Sequence, residues 1–142
     1  MLKPVYILNL DLIGFIAMLL HFLDIFFTIF HLALTLFNLL GWAWKRTRKA
    51  HFVTLVITAA SWFVLGIWYG LGYCPLTDWH WQVKEKLGET NLPNSFIKYY
   101  ADKISGRDIN PSLIDTVTLC CLIFAVAASV YVNFFLKKKQ KT

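Results

Sequence analysis

Asp24, His31, Cys74, His80 and Asp115 are the side chains of this chain best suited to act together. Two carboxylates, two imidazoles and a thiol form a set able to hold a metal ion or pass protons. Asp24, Cys74, His80 and Asp115, with His21 close by, flank the same ends of long apolar segments. His31 lies seven residues below Asp24, about 10 Å deeper along a helix. A purely structural role is the competing reading, because Asp24 and Asp115 each begin an apolar run and can complement a helix N-terminus. A metal or a haem is therefore an open expectation for this mouth. A bis-histidine haem between the first two segments is not, since His51 sits at the opposite end, on the order of 15–20 Å away along the axis. Arg48 and His51 at that opposite end are candidates for holding anionic lipid headgroups, against the simpler role of basic anchors.

The elements that carry these residues belong in a membrane. Of the 142 residues, 58% are hydrophobic and 15% charged, against about 45–50% and roughly 25% for a soluble domain. One domain, residues 1–142, is all this length supports. Three cysteines without a CxxC pair exclude a disulfide-stapled secreted module and the common zinc ribbons. Crossing about 30 Å of hydrocarbon takes roughly 20 apolar residues. Three uncharged runs qualify, Ile25 to Trp44, Ala50 to Cys74 and Thr116 to Leu136. They predict spans at about 24–44, 50–73 and 112–136, with a cap at 75–111.

Charge sets the expected orientation. Lys45, Arg46, Arg48 and Lys49 follow the first span, and Lys137, Lys138, Lys139 and Lys141 follow the third. Such clusters stay cytoplasmic. The connection from Pro75 to Pro111 holds five basic and five acidic residues, so it is expected outside. This predicts a multi-pass membrane protein with its N-terminus outside and its C-terminus in the cytoplasm. The basic residues form two juxtamembrane strips rather than one folded face, which argues against a nucleic-acid partner.

Residues 5–20 are nearly as apolar as the span that follows. They read as a helix along the outer interface with Asn9 and Asp11 towards water, kinked into the first span near His21 to Asp24. The alternative is one long tilted helix, about 60 Å from Val5 to Trp44. Within the cap, Thr77 reads as an N-cap, with Trp79, Val83 and Leu87 on one apolar face and Gly88 as the stop. A second short amphipathic helix carries Phe96, Ile97, Tyr100 and Ile104 and ends at Gly106. Asn110-Pro111 supplies a cap and first-turn proline for the third span.

Polar residues inside the spans are patterned. His21, Asp24, Thr28, His31, Thr35 and Asn38 share one helical face, and His51, Thr54, Thr58 and Ser61 share another. Such stripes turn towards protein, where they act as interhelical glue or as a site. Cys120 and Cys121 read as packed thiols.

Asp24 and His31 in one helix, Gly41, Thr47-Arg48 with His51, Cys74-Pro75-Leu76-Thr77, Gly88, and Phe96-Ile97 with Tyr99 or Tyr100 carry a resemblance. Over residues 22–135 the chain resembles a bacterial family of small integral membrane proteins catalogued only as a domain of unknown function. The resemblance implies an inner-membrane helical protein and brings no activity. In that family pattern a glutamate stands three residues after the threonine and an arginine four later; this chain has His80 and Lys84. Glutamate would complete a capping box with Thr77, whereas histidine is a poorer cap and an equally good metal ligand.

The fold class expected is therefore an all-α membrane protein: three transmembrane helices, an N-terminal interfacial helix and two short periplasmic amphipathic helices. The function expected is that of an accessory subunit, working with other membrane-protein subunits or with its own kind in the lipid bilayer. The alternative is a protein that binds a metal or haem, or relays protons, at the mouth. No Ser, His and Asp grouping or HExxH pattern suggests a hydrolase, and three spans without an inverted repeat do not suit a transporter.

Overall fold

A computed structural model describes residues 3–135, with side chains from residue 11 onward; Asn9 and the lysines after Leu136 lie outside the described side chains. The described residues are helical and contain no strand. Helix α1 runs Lys3–Leu40. The second span is built from α2 (Arg48–Ala60), a π-helical stretch Ser61–Leu65 and α3 (Gly66–Tyr69). Helices α4 (Pro75–Lys86) and α5 (Phe96–Ser105) follow, and α6 (Pro111–Val130) with a π-helical end Tyr131–Phe135 forms the last span. Three segments are long and apolar enough to cross a membrane, Asp11–Leu40, Arg48–Tyr69 and Pro111–Phe135.

The kink expected near His21 to Asp24 is absent, and α1 takes the alternative form of one continuous helix. No proline or glycine interrupts residues 15–40, so nothing in the chain breaks the hydrogen-bond ladder there. The α6 start agrees with expectation: Pro111 occupies the first turn and the Asn110 side chain accepts from the Ser112 N–H at 2.9 Å. The α5 cap is equally regular, with Ser95 accepting from Lys98 N and Gly106 left-handed at φ 67°.

The turn after α3 positions the site. Gly70 and Gly72 both have positive φ, 101° and 86°, which only glycine adopts without cost. They send the chain back along the span it has just completed. The Gly72 N–H reaches the Trp62 carbonyl at 3.4 Å, and the Ser61 hydroxyl donates to the Tyr73 carbonyl at 2.8 Å. Seven residues of helix, about 10 Å of rise, are thus retraced. Both anchors lie at the start of the π-helical stretch, where altered ladder spacing leaves groups available to the returning chain. Gly66 allows the close approach, since a Cβ there would sit 3.3 Å from the Leu71 Cα. Helix α4 therefore starts deep and climbs antiparallel along α1, its first residues near His31 and its later ones near Asp24.

Far from that end, the spans are tied through His51, which is fully buried. One ring nitrogen, Nε2, is 2.8 Å from the Asn38 carbonyl, so it carries the proton and donates; Nδ1 then accepts from the Ser129 hydroxyl at 3.2 Å. Asn38 in turn donates to Thr58 at 2.9 Å, and Asn133 donates to the carbonyls of Ser129 and Arg48. Side chains of all three spans meet in this network. Beside it the apolar core is small: Leu55, Leu122 and Ala125, with Trp62 against them. Cys120 and Cys121 face outward from α6 rather than packing inside, because Leu122, Ala125 and Ser129 take the inward face.

Gly41 fits this arrangement only without a side chain. A Cβ there would come within 2.7 Å of the Phe37 carbonyl and 2.8 Å of the His51 ring. Gly41→Ala is expected to destabilise the protein by about 1–3 kcal/mol through overpacking. Gly14→Ala, with nothing within 4 Å, is expected to leave stability unchanged or slightly raised. Reversible unfolding in detergent measures both.

Candidate functional site

The side chains of α1 and α4 meet in a buried ionic cluster. Asp24 Oδ1 is 2.7 Å from His80 Nε2 and 2.9 Å from Lys84 Nζ. Lys84 also reaches Glu89 Oε1 at 3.0 Å, and the Tyr99 hydroxyl donates to the other Glu89 oxygen. His80 is fully buried and Lys84 is 2% exposed, so neither side chain finds water as a substitute partner. A buried ammonium is tolerated only when carboxylates surround it, and here two do. Helix α4 makes this possible by presenting Thr77, His80, Val83 and Lys84 on its buried face.

That face differs from the expected one. Trp79 is exposed, and Thr77 is buried within the helix instead of capping it. Pro75 presets the helical φ one turn earlier, so Cys74 is the cap residue, without a side-chain bond. Position 80 is consequently no capping-box position; it faces Asp24. In α5, Phe96 is buried as expected, while Ile104 is exposed.

The electrostatics follow from burial and partners. Burial pushes the His80 imidazole below the ordinary histidine range, and the Asp24 carboxylate only partly offsets this. The Lys84 ammonium is opposed by burial too, but hydrogen bonds to Asp24, Glu89 and the Tyr99 hydroxyl outweigh it and hold its pKa above the usual lysine value. Burial acts against the Glu89 carboxylate as well; Tyr99 and Lys84 reverse that and keep its pKa low.

A second pair stands deeper. His31 Nε2 is 4.0 Å from Cys74 Sγ, and the His31 ring lies flat on Phe96, with centroids 4.0 Å apart and planes 10° from parallel. Phe96 also approaches His80, at 6.1 Å between centroids, and so lies beside both imidazoles. Both His31 Nδ1 and His80 Nδ1 are buried without a hydrogen-bond partner. Thr28 joins the wall, its hydroxyl 2.7 Å from that of Tyr100.

The five candidates are thus divided. Asp24 joins His80, His31 joins Cys74, and Asp115 is exposed on α6 with no ion pair among the described residues. No three His, Cys, Asp or Glu side chains among the described residues stand together as a metal cage. Lys84 explains part of this, since its ammonium already balances the Asp24 charge that would attract a cation. The headgroup reading also changes. His51 has both ring nitrogens engaged inside the bundle and is out of reach of lipid. Arg48 donates to the Trp42 carbonyl at 3.2 Å and remains partly accessible.

As members of the site, Lys84, Glu89 and Tyr99 were not foreseen: Lys84 and Tyr99 entered only through the family pattern, and Glu89 only in the charge balance of the cap. The i, i+4 spacing of His80 and Lys84 was the available signal, because it puts both on one face opposite a carboxylate.

The family model described as Protein of Unknown function (DUF2784) matches residues 21–134. The match begins just before Asp24 and so takes in the whole cluster. No curated protein and no solved structure matches the chain.

A proton test follows from His80. Its pKa is lowered in the folded state, so below about 6.5 the unfolded chain binds the extra proton first. Stability is then full above that value and falls as pH drops below it. Unfolding measured from pH 7.5 to 5 is expected to show this loss, and His80→Gln is expected to flatten the slope.

Proposed function

Since the chain belongs to this DUF2784 family, which brings no activity, we propose from its geometry that it is an accessory subunit of a membrane assembly, docking through the N-terminal half of α1. One observation carries the proposal. Residues 11–22 are almost wholly exposed, with Leu12, Ile13, Phe15, Ile16, Met18, Leu19 and Phe22 all among the exposed apolar side chains. A helix apolar on every side requires lipid or protein around it.

Length argues for protein. The apolar segment Asp11–Leu40 is about 45 Å long at 1.5 Å per residue. Fitting it into about 30 Å of hydrocarbon needs a tilt near 50°, beyond the usual 0–40°. The part that lipid does not cover calls for a partner, either another membrane subunit or a second copy. The net-neutral cap belongs outside and the Lys45–Lys49 strip inside, which would put the docking helix on the periplasmic side of a bacterial inner membrane. The ionic cluster then holds the cap beside the helix that docks.

Site-specific photo-crosslinking in native membranes tests this reading. A crosslinker at Phe15 or Met18 is expected to give one discrete protein adduct, and one at Leu113 on α6 is expected to give none. Lipid adducts alone from Phe15 and Met18 would contradict the proposal.

A further inference from the structure

Beyond the docking role, we propose that Cys74 and His31 form a two-ligand site for a soft monovalent cation, Cu(I). The sulfur and the imidazole Nε2 are 4.0 Å apart, too long for a well-formed hydrogen bond. The separation suits an ion between them. With a metal–sulfur bond of about 2.3 Å and a metal–nitrogen bond of about 2.0–2.1 Å, as for zinc, the ligands would subtend an angle of roughly 135°.

Both ligands are held for the purpose. His31 is 91% buried, being 9% exposed, and its ring is fixed flat against Phe96. Its Nδ1 has no partner, so no neighbour fixes the tautomer, and the form protonated at Nδ1 leaves the Nε2 lone pair facing the sulfur. Cys74 is placed by the glycine turn and the Ser61 to Tyr73 bond next to it. It is the N-cap residue of the 12-residue helix α4, with no side-chain cap bond of its own, and its thiolate is the form that would bind the ion.

Charge and coordination number select the ion. A thiolate with Cu(I) and a neutral imidazole is net neutral, which suits a site walled by Phe96. Zn(II) would leave a positive charge and seeks four ligands. Asp24 and His80 are engaged with each other and with Lys84, and no third ligand of that kind joins the pair among the described residues. Thiolate is among the soft donors that select Cu(I), and Cu(I) accepts two-coordinate binding. Ion uptake would displace only the thiol proton, which leaves to solvent.

The experiment is an anaerobic titration of the reduced, purified full chain with Cu(I) against a chromophoric Cu(I) chelator. The wild-type protein is expected to take one equivalent, with one sulfur and one nitrogen neighbour by X-ray absorption. Cys74→Ser and His31→Gln are each expected to weaken binding by about tenfold or more, while a Cys120→Ser, Cys121→Ser variant binds as wild type. Cys74→Ser is nearly isosteric and decides the matter even if His31→Gln unfolds. No uptake by the wild type, undiminished uptake by Cys74→Ser, or loss in the Cys120, Cys121 variant would overturn the site. The crosslinking result at Phe15 is independent of all these outcomes.

Discussion

The carboxylate of Asp24 is the constraint on which the cap end of this protein depends. It sits on a helix apolar enough to cross a bilayer, where an unpaired charge would cost several kcal/mol. The partners come from α4, as His80 and Lys84 converge on one carboxylate oxygen. Removing the buried Lys84 ammonium from water is itself unfavourable, so the arrangement holds only because Glu89 and Tyr99 complete it. Such a network adds little stability over an apolar core of the same shape. What it supplies is register: α4 can satisfy these charges at one height along α1.

That register governs the rest of the cap. For Lys84 to reach Asp24, α4 must start seven or more residues deeper, which requires the chain to double back after Tyr69. Gly70, Gly72 and Gly66 permit the reversal, and the anchors at Ser61 and Trp62 fix its depth. Cys74 is thereby delivered to His31. At the other end His51 makes the comparable link among the three spans using neutral hydrogen bonds. Between the two polar ties the apolar contact is thin, so the outward faces are left to lipid or to other proteins.

Much of this was legible in the sequence. Uncharged runs gave the three spans, and the periodic stripe that starts at His21 turns inward from Asp24 to Asn38, since polar groups in an apolar helix seek protein partners, while His21 itself is exposed. The Asn110-Pro111 cap acts locally and was equally readable. Three features were not. The continuous α1 was obscured because an apolar helix looks the same lying on an interface or rising past it. The buried face of α4 was misassigned to Trp79 because pairing to Asp24, a distant residue, overrides local amphipathicity. His51 looked like a surface base because its partners, Asn38 and Ser129, come from other spans.

The central claim, that Asp24 and Lys84 fix the cap to the first span, is tested most directly by a double-mutant cycle. Unfolding free energies in detergent would be measured for the wild type, Asp24→Asn, Lys84→Met and the double variant. The account expects a coupling of about 1–3 kcal/mol, with the double variant less damaged than the two single losses combined. A coupling near zero would contradict it and leave the ionic cluster a bystander to the fold.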